Sequence, residues 1–303
     1  MSTFWQGVLP AITTPFQEDG SIDHAFLARH VDRMVQAGCT GIVPLGSLGE
    51  TATLNVDEKC AVLQTVVKAV AGRGAVVPGV AALATSDAVS FARTAQQLGC
   101  AGLMVLPPYV YSTDWREMKA HVSAVIAATT LPCMLYNNPL AYKTDFNAEQ
   151  IRELAEQYPN FVAVKESSAD VRRIAAIKAA LGDRLFILMG VDDMILEGVG
   201  AGATGWIAGL VNAFPRESVV LFELARAGRV EEATPLYQWF LPLLRLDVVP
   251  KFVQLIKLVQ ARVQMGSVNV RAPRLVLAGE ELAQADAIIA QALATKPVFP
   301  LGS

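Results

Sequence analysis

Short apolar runs punctuate the chain at regular intervals. VLPAITT near the start is followed by AGCTGIVPLG (37–46), AVVPGVAA, LGCAGLMVLP (98–107), LPCMLYN, FVAVKES, RLFILMG and AGATGWIAGL (201–210). Runs of this length with little polar alternation predict strands buried on both faces. Three of them share a Gly-x-x-Gly-apolar-apolar pattern, which predicts a helix stopping at a left-handed glycine, a tight loop and then a strand.

The segments between these runs carry apolar residues at helical spacing. In FLARHVDRMVQAG, Phe26, Leu27, Val31, Met34 and Val35 fall on one side, and His30, Asp32 and Arg33 on the other. VDEKCAVLQTVVKAVAG, DAVSFARTAQQLG and AEQIRELAEQYP repeat the theme. Parallel strands need helical crossovers and eight such strands close, so the alternation predicts an α/β fold, a (β/α)8 TIM barrel. A doubly wound open sheet fits less well, because no GxGxxG follows the first strand. After about residue 230 the strand pattern stops. EEATPLYQWFLPLLRL, PKFVQLIKLVQARVQ and EELAQADAIIAQALAT predict a C-terminal helical extension. The expected division is a barrel over 1–230 and the extension over 231–303.

Composition sharpens this picture. The chain is 53% hydrophobic and 17% charged, against a usual charged share of about 25%, so a large core is available and intrinsic disorder is excluded. Twenty-five basic against 28 acidic residues leave a net charge of −3, with no basic surplus for nucleic acid or anionic lipid. Mean hydropathy is +0.38, yet glycine, proline or charge interrupts each apolar run before about 18 residues, so no membrane span is expected. The opening MSTFWQGVLPAITTPF lacks a charged region followed by an apolar stretch, and no secretory signal is expected. Cys39, Cys60, Cys100 and Cys133 form no CxxC and read as small buried hydrophobes of a cytoplasmic protein. His24, His30 and His121 show no ligand spacing, so neither a metal nor a cofactor is expected.

Catalytic groups of such a barrel lie at the C-terminal ends of its strands. The second strand ends in Gly46-Ser47-Leu48-Gly49-Glu50-Thr51, a tight turn whose N–H groups can converge on an anion or simply lead into a helix. The fourth ends in Pro107-Pro108-Tyr109, and the fifth in Tyr136-Asn137-Asn138-Pro139. Either tyrosine can pack its ring or pass a proton through its hydroxyl. Lys165 follows four apolar residues of the sixth strand. Among apolar walls an ammonium loses solvation and its pKa falls, giving an amine able to attack a carbonyl or imine. The competing reading is a lysine that snorkels to the rim. Arg172 and Arg173 read as a solvated helix start, Asp192 and Asp193 as helix caps or hydroxyl binders, and Tyr237, Trp239 and Phe240 as packing of the tail on the barrel.

GVLPAITTPF with DGSID, then GSLGET, LPPY, YNNP, VKESS, GVDD and GATGWIAG, resemble the dihydrodipicolinate synthase / N-acetylneuraminate lyase superfamily along nearly the whole chain. The resemblance implies a class I Schiff-base enzyme with Lys165 as the imine-forming lysine and Tyr136 as the general acid/base. Ser47 and Tyr109 fall on the family's hydroxyl relay. The backbone N–H groups of Ser47 and Leu48 would hold the substrate carboxylate, with Asn138 and Ile207 lining the pocket. The resemblance implies no cofactor, a small keto or imino acid as substrate, and a homo-oligomer, typically a tetramer.

Departures from the family pattern narrow the substrate. Ala141 stands where the synthases carry an arginine for their second substrate, and Leu48 replaces a threonine. Val191 and Trp206 suggest a pocket less polar than a sialic-acid lyase needs. YNNPLAYKTD, KESSADVRR and GVDDMILEGVGAGATGWIAGLVNAFP look most like the 1-pyrroline-4-hydroxy-2-carboxylate deaminase branch of bacterial hydroxyproline degradation. The alternatives are a 2-keto-3-deoxy sugar acid dehydratase or aldolase on the same lysine and, more remotely, a catalytically silent keto-acid sensor.

Overall fold

A computed structural model of the chain describes residues 3–108 and 114–297. Among these residues nine short strands form the centre: β1 (Gly7–Pro10), β2 (Gly41–Ile42), β3 (Ala75–Val76), β4 (Gly79–Val80), β5 (Leu103–Val105), β6 (Cys133–Asn137), β7 (Phe161–Glu166), β8 (Phe186–Met189) and β9 (Gly205–Ala208). Every pairing is parallel, in the order β4-β5-β6-β7-β8-β9-β1, with β2 on β3. A parallel bridge from Ala11 to Val43 joins the β1 run to β2. The β3 and β4 pieces are one run interrupted at Pro78, where Val77 N–H still donates to Ile42 and Gly79 N–H to Pro44. Eight staves therefore close into the expected (β/α)8 barrel.

The repeated glycine pattern divides its work between its two glycines. Gly38, Gly99 and Gly202 end their helices at φ +98°, +86° and +110°, a region that side chains resist. Their partners Gly41, Gly102 and Gly205 start the staves. A Cβ on these would come within 3.0 Å of Ala75 O, 3.0 Å of Pro132 O and 2.9 Å of Trp5 O, so each is small because neighbouring backbone lies against it.

The helices fall where the spacing placed them, including His24–Gln36, Val56–Val70, Thr85–Gln97 and Ala148–Gln157. One assignment within them changes. His30, expected on the polar side, is buried with Leu27, Val31 and Met34. Positions i, i+3, i+4 and i+7 share a helix face, and Asn212 Oδ1 lies 3.1 Å from His30 Nε2, while Nδ1 has no partner among the described residues.

The extension supplies helices Val230–Leu244, Phe252–Arg262 and Gly279–Ala294. Trp239 and Phe240 stack at 5.1 Å with Phe214 edge-on to both, and Tyr237 donates to Glu197 Oε2 at 2.8 Å. These aromatics pack tail on barrel, as read from the sequence. Cys39, Cys100 and Cys133 are buried and unpaired, and burial pushes their thiols up to about 12. Among the described residues no helix is long and apolar enough to cross a membrane.

Candidate active site

Lys165 leaves β7 at the C-terminal end of the barrel and is 6% exposed. Its stem crosses Gly190, where a Cβ would stand 2.7 Å from Lys165 Cε and 2.0 Å from Ser167 Oγ. Gly190 thus clears the channel that the lysine fills. Tyr136 is opposite Lys165 in the β6–β7 register, and the ammonium nitrogen lies 4.0 Å from the tyrosine ring centroid. A cation over a ring face is attracted by the ring quadrupole, which holds the two groups together. The structure thus brings these two expected site residues side by side.

Asn138 orients the tyrosine. Its amide nitrogen donates to Tyr136 Oη at 2.9 Å and its oxygen accepts from Ala141 N–H at 3.0 Å. That second bond caps the one-turn helix Pro139–Tyr142, with proline at its first position. Both ends of the Asn138 amide are therefore engaged within the chain, although the residue was expected to line the pocket.

The one-turn helix brings in a residue that the sequence reading missed. Tyr142 sits edge-on to Tyr136, with centroids 5.6 Å apart and planes at 88°, and its hydroxyl is hydrogen-bonded to Ser47 Oγ. The Asn-Pro step is the available signal, since it starts a helical turn that carries Tyr142 back over Tyr136. Tyr109, expected in the relay, lies outside the described residues.

The turn bearing Ser47 is held under constraint. Leu45 before it and Glu50 within it are non-glycine residues at φ +61° and +54°, a conformation that persists only where the surroundings impose it. Glu50 is anchored by the extension: Lys257 Nζ donates to Glu50 Oε1 at 2.6 Å and to Thr14 O at 2.9 Å, and Arg271 N–H donates to Glu50 Oε2 at 3.1 Å. Among the described residues no acceptor takes the N–H of Ser47 or of Leu48. Two adjacent unclaimed donors at a strand end suit a carboxylate.

On the far side of the mouth, register separates two expectations. Lys165 pairs with Leu188 and Leu188 with Gly205, so Ile207 shares the lysine's face. Trp206 lies in the alternate row with Met189 and Val8. Its ring faces away from the lumen and its indole N–H donates to Asp192 at 3.0 Å, so it does not make the pocket apolar as expected. Asp192 is fully buried and also accepts from the N–H groups of Gly209 and Leu210. Burial pushes it up to about 6 against the pull of these donors. Arg172 pairs with Asp170 and Arg173 with Asp145, at the exposed start of the helix Arg172–Leu181. Among the described residues no cluster of histidine, cysteine and acidic groups could hold a metal.

A model of the "Dihydrodipicolinate synthetase family" matches residues 4–292. A 4-hydroxy-tetrahydrodipicolinate synthase of Sorangium cellulosum is 34% identical over 279 residues, 92% of each chain. The solved 4-hydroxy-tetrahydrodipicolinate synthase of Methylacidiphilum fumariolicum superposes with a TM-score of 0.89 at 29% identity, covering 95% of this chain and 97% of its own. YagE, an E. coli prophage protein of the same family solved with pyruvate, gives 0.89 at 26% identity over 95% and 98%.

Proposed function

The chain belongs to the dihydrodipicolinate synthetase family, whose members are Schiff-base lyases, and on that footing we propose that it deaminates 1-pyrroline-4-hydroxy-2-carboxylate. The observation that carries the Schiff-base part is the shielded Lys165 beside Tyr136, under a turn with two unclaimed N–H groups. The choice of substrate rests on the resemblance of YNNPLAYKTD and its companion segments to the deaminase branch. It also rests on Ala141, whose exposed methyl offers no cation to a second carboxylate.

The proposed chemistry uses this chain's own groups. The substrate carboxylate docks on the Ser47 and Leu48 N–H groups. Lys165 adds to C2 of the ring imine, and transimination opens the ring. Tyr136, coupled to Ser47, takes the C3 proton as the C4 hydroxyl leaves as water. The protonated imine accepts the electron pair, which is why no redox cofactor enters the scheme. Proton shifts then convert the new C3=C4 double bond into an imine at C5, and two water molecules hydrolyse the imines at C5 and C2, releasing ammonia and 2,5-dioxopentanoate and returning Lys165, a net uptake of one water. A homotetramer working on a small imino acid is part of the same proposal.

The test is ammonia release from 1-pyrroline-4-hydroxy-2-carboxylate, with no metal or cofactor added and Lys165→Ala alongside. Release by the parent alone supports the proposal. No ammonia, with borohydride still fixing pyruvate to Lys165, would transfer the assignment to a sugar-acid dehydratase or aldolase.

A further inference from the structure

Gly209, one residue beyond β9, is a glycine without a conformational reason. Its φ of −94° and ψ of −50° suit any residue. The reason is space: a Cβ there would stand 2.0 Å from Asp247 Oδ1 and 2.7 Å from Oδ2. The carboxyl of a residue from the C-terminal extension occupies the place of a side chain on the barrel's last stave. Gly209 continues the alternation that turns Gly205 and Ile207 to the lysine's face, so the carboxyl stands over the mouth.

The surroundings of Asp247 are unusual for an acid. Its Oδ1 is shielded from solvent and has no hydrogen-bond partner among the described residues. The neighbouring turn, Asp192–Met194, packs against the Arg245–Asp247 turn. Among the described residues Asp192 accepts from N–H groups alone, those of Trp206, Gly209 and Leu210, so the negative charge of this corner resides there. Asp193 adds a second carboxylate, answered by Arg245 at 3.7 Å. Lys165 is the cation in electrostatic reach from the barrel side. Burial first, and then the charge on Asp192, push Asp247 well above the carboxylate range.

We propose that Asp247 is a specificity residue, standing over the mouth as an uncharged carboxylic acid and donating a hydrogen bond to a substrate hydroxyl beyond the imine carbon. The proposal rests on the Schiff-base reading only for the identity of that carbon. A shielded donor that a bound ligand leaves unpaired disfavours a ligand that lacks the hydroxyl.

The experiment measures calorimetric binding of 2-oxopentanoate and 4-hydroxy-2-oxopentanoate to the full chain, to Asp247→Asn and to Asp247→Ala. The parent is expected to prefer the hydroxy acid by at least about tenfold. Asp247→Asn, which keeps a donor, retains that preference within about threefold, and Asp247→Ala loses it. In the infrared difference between parent and Asp247→Asn at neutral pH, the carbonyl band of a protonated carboxylic acid belongs to the parent. Equal binding of the two acids by the parent, an unchanged preference in Asp247→Ala, its loss in Asp247→Asn, or absence of that band would each overturn the proposal. Borohydride with pyruvate is run on the same samples. Failure to trap with the preference intact sinks the Schiff-base reading and leaves Asp247 standing.

Discussion

Lys165 lies across the α-carbon of Gly190, so closely that a methyl group there would meet its Cε at 2.7 Å and its Cγ at 2.8 Å. The lysine's direction is thus set by what the next stave lacks. We predict that Gly190→Ala displaces the amine and slows borohydride trapping of pyruvate by about 100-fold, the usual cost of misplacing a reacting group by about 1 Å. Overpacking of this kind costs about 1–3 kcal/mol of stability, so the protein should remain folded in a thermal melt. Unchanged trapping kinetics would refute the role given to Gly190.

The Ser47–Tyr142 hydrogen bond makes a second prediction. Tyr142→Phe keeps the edge-on ring contact with Tyr136 and removes the hydroxyl. Turnover should fall by about 10- to 100-fold with little change in KM, at or below the lower end of the usual contribution of about 100- to 10,000-fold for proton-transfer groups, because Tyr142 acts through Ser47 and Tyr136. Ser47→Ala should do the same. If the two hydroxyls act as one chain, the double variant is no worse than the poorer single one, and additive losses would separate them.

His30 gives a pH dependence. Burial holds its imidazole down to about 4, against 6.5 for an ordinary histidine. Because the folded value lies below the unfolded one, its contribution is complete above pH 6.5 and is lost as the pH falls from there towards 4. The loss is on the order of 3 kcal/mol. Urea unfolding of the parent and of His30→Gln at several pH values isolates it: the difference between their acid slopes should appear in that window. Parallel slopes would show that His30 does not carry it.

Lys257 and Glu50 form an ion pair with side chains 2% and 0% exposed. Removing the cation leaves a buried carboxylate that, among the described residues, faces Arg271 N–H and the more distant Arg274. Lys257→Met is expected to lose about 3–5 kcal/mol in urea unfolding, with part of it restored by adding Glu50→Gln. A loss below about 1 kcal/mol would mean that water reaches the pair.

The barrel was readable from the sequence because it is built from local signals. Strand runs, helix spacing and the paired glycines each act over fewer than twenty residues, and Gly38, Gly99 and Gly202 have the left-handed backbone that their pattern demands. Lys165 and Tyr136 were readable because both sit at strand ends. Trp206 was misjudged because a strand buried on both faces hides its register, which only the neighbours Val8 and Met189 reveal. His30 was misjudged because its polar partner, Asn212, is 182 positions away. Asp247 had no local signal at all; its meaning comes from a glycine on another element.

The anchoring of Glu50 by Lys257 and Arg271 also bears on how the chain is made. Thr14 and Glu50 meet their partners across 243 and 207 positions of sequence. A nascent chain can therefore lay down its first two staves long before the groups that fix the Ser47 turn have been synthesised. Loop closures of that span are slow and keep early segments exposed. Until the ribosome has passed Arg271, the turn proposed to grip the substrate carboxylate lacks its anchors, and binding competence is among the last properties the growing polypeptide acquires.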